Sequence, residues 1–189
     1  MLLITAIALR PERAESKTAS GASADEHVPT DCSTRMAPEK GVDERKNLDL
    51  ALLDETNSYF NRFLTGQELF VKPTLGAPEQ LSPARKLRYL HFVFGAADRL
   101  SREIPDCEAQ EVWHFSCCYV HARAMQGDAR AMEVVETYGQ SGDHALDNAA
   151  ELGWHTMSAH LAYGRGNISR DDYSRSCTAL FAAISGNER

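Results

Sequence analysis

Ala149-Ala150-Glu151-Leu152-Gly153 returns 33 residues later as Ala182-Ala183-Ile184-Ser185-Gly186, and a fainter copy, Ala124-Met125-Gln126-Gly127-Asp128, lies upstream. Each copy closes an amphipathic stretch with small residues and sets a glycine just past it. That is the local chemistry with which one helix stops and another starts at close range. Recurrence at roughly 20–50 residues is the mark of stacked helical pairs. The alanines then mark helix crossings, because side chains that short let two backbones approach.

Outward from this stretch the punctuation stays helical. All seven prolines lie at or before Pro105. Pro105-Asp106 breaks the chain and caps a helix from about Cys107 to Met125. Before it, Ser82-Pro83 places a cap residue ahead of a proline at the first helical position and opens a helix to about Glu103. Its apolar residues Leu87, Leu90, Val93, Phe94, Ala97 and Leu100 predict one buried face. A first helix is predicted from Leu48 to Leu64, capped by Asn47, with Leu52, Tyr59, Phe60 and Phe63 on one side. Residues 66–81 carry Pro73, Gly76 and Pro78 and read as a connector, with Leu69, Phe70 and Val71 available to fold back onto the core. Ser169 and Asp172 form a capping-box-like start for the last helix. No segment alternates with period two over a useful length, so the fold class is all-α.

Residues 10 to about 46 are rich in Ser, Ala, Thr, Glu and Lys and hold no aromatic residue. Such a segment cannot bury enough apolar surface to offset its ordering entropy, which predicts a disordered polar tail over 1–46. One helical domain then occupies 47–189, with N-terminal helices over 47–125 and hairpins over 126–189. Met1 to Leu9 is apolar but lacks a basic flank and meets Arg10 and Pro11 at once, which makes a poor signal peptide. A start at Met36 and a secretion role for the tail both stay open. The chain of 189 residues is 43% hydrophobic with a formal charge of −7, which argues against a general nucleic-acid binder and against docking on an anionic membrane. Five cysteines without framework spacing read as reduced thiols in a cytoplasmic protein, with secretion as the alternative.

From about Ala122 to Asn187 the chain resembles Sel1-like repeats, relatives of the tetratricopeptide repeats. Ala149-Ala150-Glu151-Leu152-Gly153 matches their closing element, and Ala159, Leu161 and Tyr163 match the next first helix. Tyr163-Gly164-Arg165-Gly166 matches the loop, Ile168 and Asp171 follow it, and Ala182, Ala183 and Gly186 close the unit. The loop after Gly166 is one residue short of the pattern, Arg175 replaces an expected alanine, and the upstream unit spans 26 residues between glycines. The resemblance implies a short solenoid of stacked hairpins, preceded by the tail, that binds another protein on its concave side. The binding residues it implies are Arg130, Glu133 and Glu136 on one helix and His155, Ser158 and Ala162 on another.

The one cluster with ligand-like spacing is His114, Cys118 and His121, at i, i+4 and i+7 of the third helix, with Cys117 beside it. Thiolate and imidazole together suit zinc, which would need a fourth ligand such as Cys107, His155 or His160. The competing reading makes Cys117 and Cys118 small packing residues, so no metal and no cofactor is expected. Trp113 and Trp154 read as core residues before interface anchors. Arg85, Lys86, Arg88, Arg99 and Arg102 read as a solvated basic face on the second helix. There is no Gly-rich phosphate loop, nucleophile elbow or HExxH. The expectation is a non-catalytic bacterial adaptor or regulator, with an exported effector or a zinc- or redox-responsive regulator as the alternatives.

Overall fold

The computed structural model describes residues 42–140 and 142–185, with side chains from Leu50 onward. Most of the expected tail, residues 1–41, lies outside the described residues, as does Gly186 at the end of the second repeat copy. Among the described residues there are seven α-helices, a short 3₁₀ turn at Pro78–Gln80, and no strand. The helices are α1 (Val42–Leu75), α2 (Pro83–Ser101), α3 (Cys107–Gln126), α4 (Asp128–Glu136), α5 (His144–Gly164), α6 (Arg170–Ser174) and α7 (Ala179–Ser185).

α2 and α3 match their predicted limits closely, and the Asp106 carboxylate caps α3 by accepting from the Ala109 amide at 2.7 Å. α1 corrects the reading at both ends. It starts at Val42, before the expected cap Asn47, and takes residues 42–46 out of the expected tail. No proline or glycine interrupts the chain from Val42 to Thr65, so nothing local stops the helix there. It then runs through Gly66 to Leu75 and absorbs Pro73 in its last turn, so most of the expected connector is helix. Gly66 costs up to about 1 kcal/mol in a helix interior. Burial of Gln67 and Val71 just beyond it outweighs that, while Leu69 and Phe70 stay exposed and do not join the core.

The organising element is α2. It touches α1, α3, α5 and α7, while α4 lies on α3, α6 lies on α5, and α1 touches α7. Every residue from Tyr89 to Ala97 is buried. The predicted single stripe is therefore too narrow, since a helix apolar all round belongs in the middle of a core.

The closest approach is between α2 and α5. A Cβ added to Gly95 would stand 1.9 Å from the Ala150 carbonyl oxygen, and one added to Gly153 would stand 2.0 Å from that of Phe92. The two backbones are in contact through reciprocal glycines. Here the repeat reading needs a correction: Gly153 does not end a helix. α5 passes through it from His144 to Gly164, and the predicted closing helix and the next first helix are one element. The absent side chain serves the crossing, and Gly153 is not among the residues with positive φ. Gly127, with φ of 80°, does turn the chain between α3 and α4 in the left-handed region open to glycine. The alanines behave only in part as read. Ala183 is buried and so is Ala149, but Ala150, expected to be buried, is half-buried, and Ala124 and Ala182 of the other copies are exposed.

α7 is held to α1 by one buried amide. Gln67 Nε2 donates to the Ser176 carbonyl at 3.2 Å, and Gln67 Oε1 accepts from the Leu180 amide at 3.4 Å. The Leu180 amide is one of the N–H groups that a helix leaves unpaired at its start, while the Ser176 carbonyl also accepts from the Ala179 amide.

Candidate functional site

Where α1 and α3 flank the core, large side chains keep them apart. Phe60 meets Trp113 edge to face at 5.7 Å and His121 at 5.8 Å. The Trp113 indole N–H donates to Asn57 Oδ1 at 2.9 Å, a polar tie between the two helices. Beyond these contacts the helices leave a groove of about 420 Å³. Leu53, Asn57, Phe60 and Asn61 line it from α1, at one-face helical spacing. Val112, Trp113, Ser116, Cys117, Val120 and His121 line it from α3. Phe60 and Trp113 form a buried floor, whereas Val112 is 55% exposed and Val120 61%.

The groove contains half of the metal candidate. Cys117 lines it, and burial pushes its thiol up to about 12. Burial also raises the Cys118 thiol well above its usual value. Neither is primed as a thiolate nucleophile or ligand. His114 Nε2 stands 3.4 Å from Cys118 Sγ, while His121 faces the Phe60 ring. Burial lowers the His121 pKa, opposed by the charge of Glu68. Among the described residues no group of three or more His, Cys, Asp or Glu is placed to hold a metal ion. The i, i+4, i+7 spacing aligned the three along a helix without supplying a further ligand.

The six concave-face candidates fall on helices with different packing partners, α4 on α3 and α5 on α2. Arg130, Glu133, Glu136 and His155 are exposed, and Ala162 is half-buried. Ser158 is occupied inside the fold, accepting from Arg99 Nε at 3.1 Å and donating to the Trp154 carbonyl at 3.0 Å. His160, also on α5, packs among Tyr59, Phe63 and Tyr173, with Nδ1 2.7 Å from the Tyr173 hydroxyl.

The expected solvated basic face on α2 is partly tied down. Arg102 and Arg99 lie over the Trp154 ring at 4.5 and 5.9 Å. Arg99 also bonds Glu103 at 2.7 Å, and Arg165 reaches the other oxygen of the same carboxylate. Burial alone would raise the Glu103 pKa, but hydrogen bonds from the two arginines hold it below the usual carboxylate value. Arg88 donates to the Ile184 carbonyl at 3.5 Å. Trp113 is a core residue, as read, while Trp154 is half-buried beneath guanidinium groups.

The groove itself was missed in the sequence. Val112, Phe115 and Val120 lie within the helix predicted from Cys107 to Met125, with no face assigned to them. The available signal was their spread around α3, which leaves apolar residues on more sides than one neighbouring helix covers. Among the described residues no helix is long and apolar enough to cross a membrane. No family model, no curated protein and no solved structure matches the chain, so the α1–α3 groove stands on its own geometry.

Proposed function

We propose that the protein is a non-catalytic interaction protein that takes an amphipathic helix of another protein into the groove between α1 and α3. The observation that carries this is the open apolar groove itself, with a buried aromatic floor and exposed valines on its wall. Contiguous exposed apolar surface rimmed by polar residues marks an interaction site. Two helical walls favour a helix as the third member, since its i, i+3, i+4 and i+7 residues fill such a trough. From Leu53 to Asn61 the α1 wall is about 12 Å long, enough for roughly two turns. The resemblance of residues 122–187 to Sel1-like repeats, with stacking as a short solenoid, supports the same class by analogy of fold. In support of that finer reading, α7 packs on α5 and α6 lies beside it.

The test is matched affinity capture from the native host with the wild-type chain and Val120→Glu. Val120 is exposed, so the variant keeps its thermal midpoint while placing a charge on the groove wall. A partner retained by the wild type and lost from the variant, whose binding segment is helical and shifts Trp113 emission in a Trp154→Phe background, bears the proposal out. Capture that Val120→Glu leaves unchanged but Glu133→Lys abolishes moves the interface to α4 and overturns it.

A further inference from the structure

On the solvent side of α3, beside the groove and sharing only Val112 and Ser116 with it, runs a second stripe. Glu108, Val112, Phe115, Tyr119 and Arg123 follow one another at steps of four, three, four and four residues. That is the spacing of a seam along which two helices pack. Phe115 is 41% exposed, and its ring stacks at 6.4 Å, with 9° between planes, on Tyr119, which is half-buried and packs against the core on its other side. α4 extends the stripe. Asp128 is ion-paired with Arg123, and Met132, one turn after Asp128, is 42% exposed on that side. The residues of α3 that are fully packed into the body, Trp113, Cys118 and Ala122, are not members of this stripe.

The ends of the stripe decide what covers it. An acid opens it and a base closes it, with the small Ser116 beside its midpoint. A second copy of α3 laid antiparallel sets Glu108 against Arg123 of the other copy, twice, and Val112 against Tyr119, twice. Phe115 then meets Ser116 at the centre. A parallel pair would set Glu108 on Glu108 and Arg123 on Arg123. We propose that two copies of the chain associate through an antiparallel α3–α3 contact about Phe115 and Ser116, in a closed two-fold dimer. The contact goes beyond the groove reading and adds a geometric consequence. Val112 and Ser116 belong to both surfaces, so the contact covers that edge of the groove on each copy.

The contact is one helix wide, so it forms with rising concentration and is not obligate. Sedimentation equilibrium of the full chain in reductant tests it; the reductant prevents the exposed Cys107 from forming disulfide-linked pairs. The wild type should move from the monomer mass of 20.9 kDa towards twice that value as concentration rises. Glu108→Lys and Arg123→Glu, each at an exposed position, should each weaken self-association by about tenfold or more. Mixing the two variants should restore it, because positions 108 and 123 then carry opposite charges again at both ends of the contact. The double variant on one chain should also self-associate. A monomer mass at every concentration overturns the proposal, as does a dimer indifferent to both substitutions or a mixture no tighter than its components. None of these outcomes touches the groove, whose reading fails only with the Val120→Glu comparison.

Discussion

The α2–α5 crossing and the α1–α3 face are built from opposite materials. At the first, Gly95 and Gly153 bring two backbones into contact and leave no room for a methyl group. At the second, Phe60, Trp113 and His121 stand between the helices and hold them far enough apart for a groove of about 420 Å³. The size of the residue at the crossing sets the distance between helix axes. Small residues close one contact completely. Large ones fill the middle of the other and leave its flanks open. The closed contact carries stability, and the open one is where the proposed recognition would lie, because a surface fully satisfied within its own chain has nothing to offer a partner.

The comparison breaks most sharply at the glycines. Gly95→Ala or Gly153→Ala places a methyl carbon about 2 Å from a carbonyl oxygen, a clash that only backbone movement relieves. Each should cost about 3 kcal/mol or more, beyond ordinary overpacking, read as a large fall in the denaturation midpoint. A midpoint within experimental error of wild type for either would show that the crossing has spare room.

Ala183→Leu tests the same point at a softer contact. Ala183 is buried, and added methylenes in a close-packed site cost about 1–3 kcal/mol. Leucine at the exposed Arg175 should be nearly neutral. Equal midpoints for the two variants would remove the distinction between crossing and surface.

Acid should weaken the molecule through one buried and two half-buried histidines. Burial lowers the pKa of His91, His121 and His160. Asp143 and Asp147 oppose this at His91 and Glu68 at His121, while Arg62 reinforces it at His160. His91 Nδ1 is buried without a hydrogen-bond partner among the described residues. Each folded pKa lies below the unfolded value of about 6.5, so the unfolded chain takes up more protons. Stability is fully present above about pH 6.5 and is lost as pH falls, by at most about 1.4 kcal/mol per histidine for each pH unit crossed. Denaturation midpoints between pH 7.5 and 5 check this. His121→Gln, on the open face, should flatten part of the slope, and an unchanged slope would show that His121 does not report burial there.

The smallest effect is expected where the molecule is most open. Val120→Asn and Val112→Asn at the groove wall should change stability by less than about 0.5 kcal/mol, since the side chains they replace are mostly in water. A loss above about 1 kcal/mol at either would mean that the groove is closed within the chain, and the contrast with the α2–α5 crossing would lose its meaning.

The amino-acid sequence by itself determined that the chain is helical and where α2 and α3 lie, because caps, prolines and apolar spacing act within a few residues. Ser82-Pro83, Asp106 and Gly127 were all readable for that reason. It did not determine which alanines pack, since Ala149 and Ala183 are buried while Ala150 is half-buried and Ala124 and Ala182 are exposed, and an alanine fits either side of an amphipathic run. Only the tertiary structure decided that Gly153 is a crossing and not a stop. A glycine at a helix end and one at a helix contact look alike locally, and the partner that distinguishes them, Phe92, is far away in sequence. The same holds for α1, which runs past Gly66 because Gln67 and Val71 find burial that no local propensity reveals. It holds for the α1–α3 groove as well. Its opening depends on how far Phe60 and Trp113 push two helices apart, and that distance is a property of the packed whole.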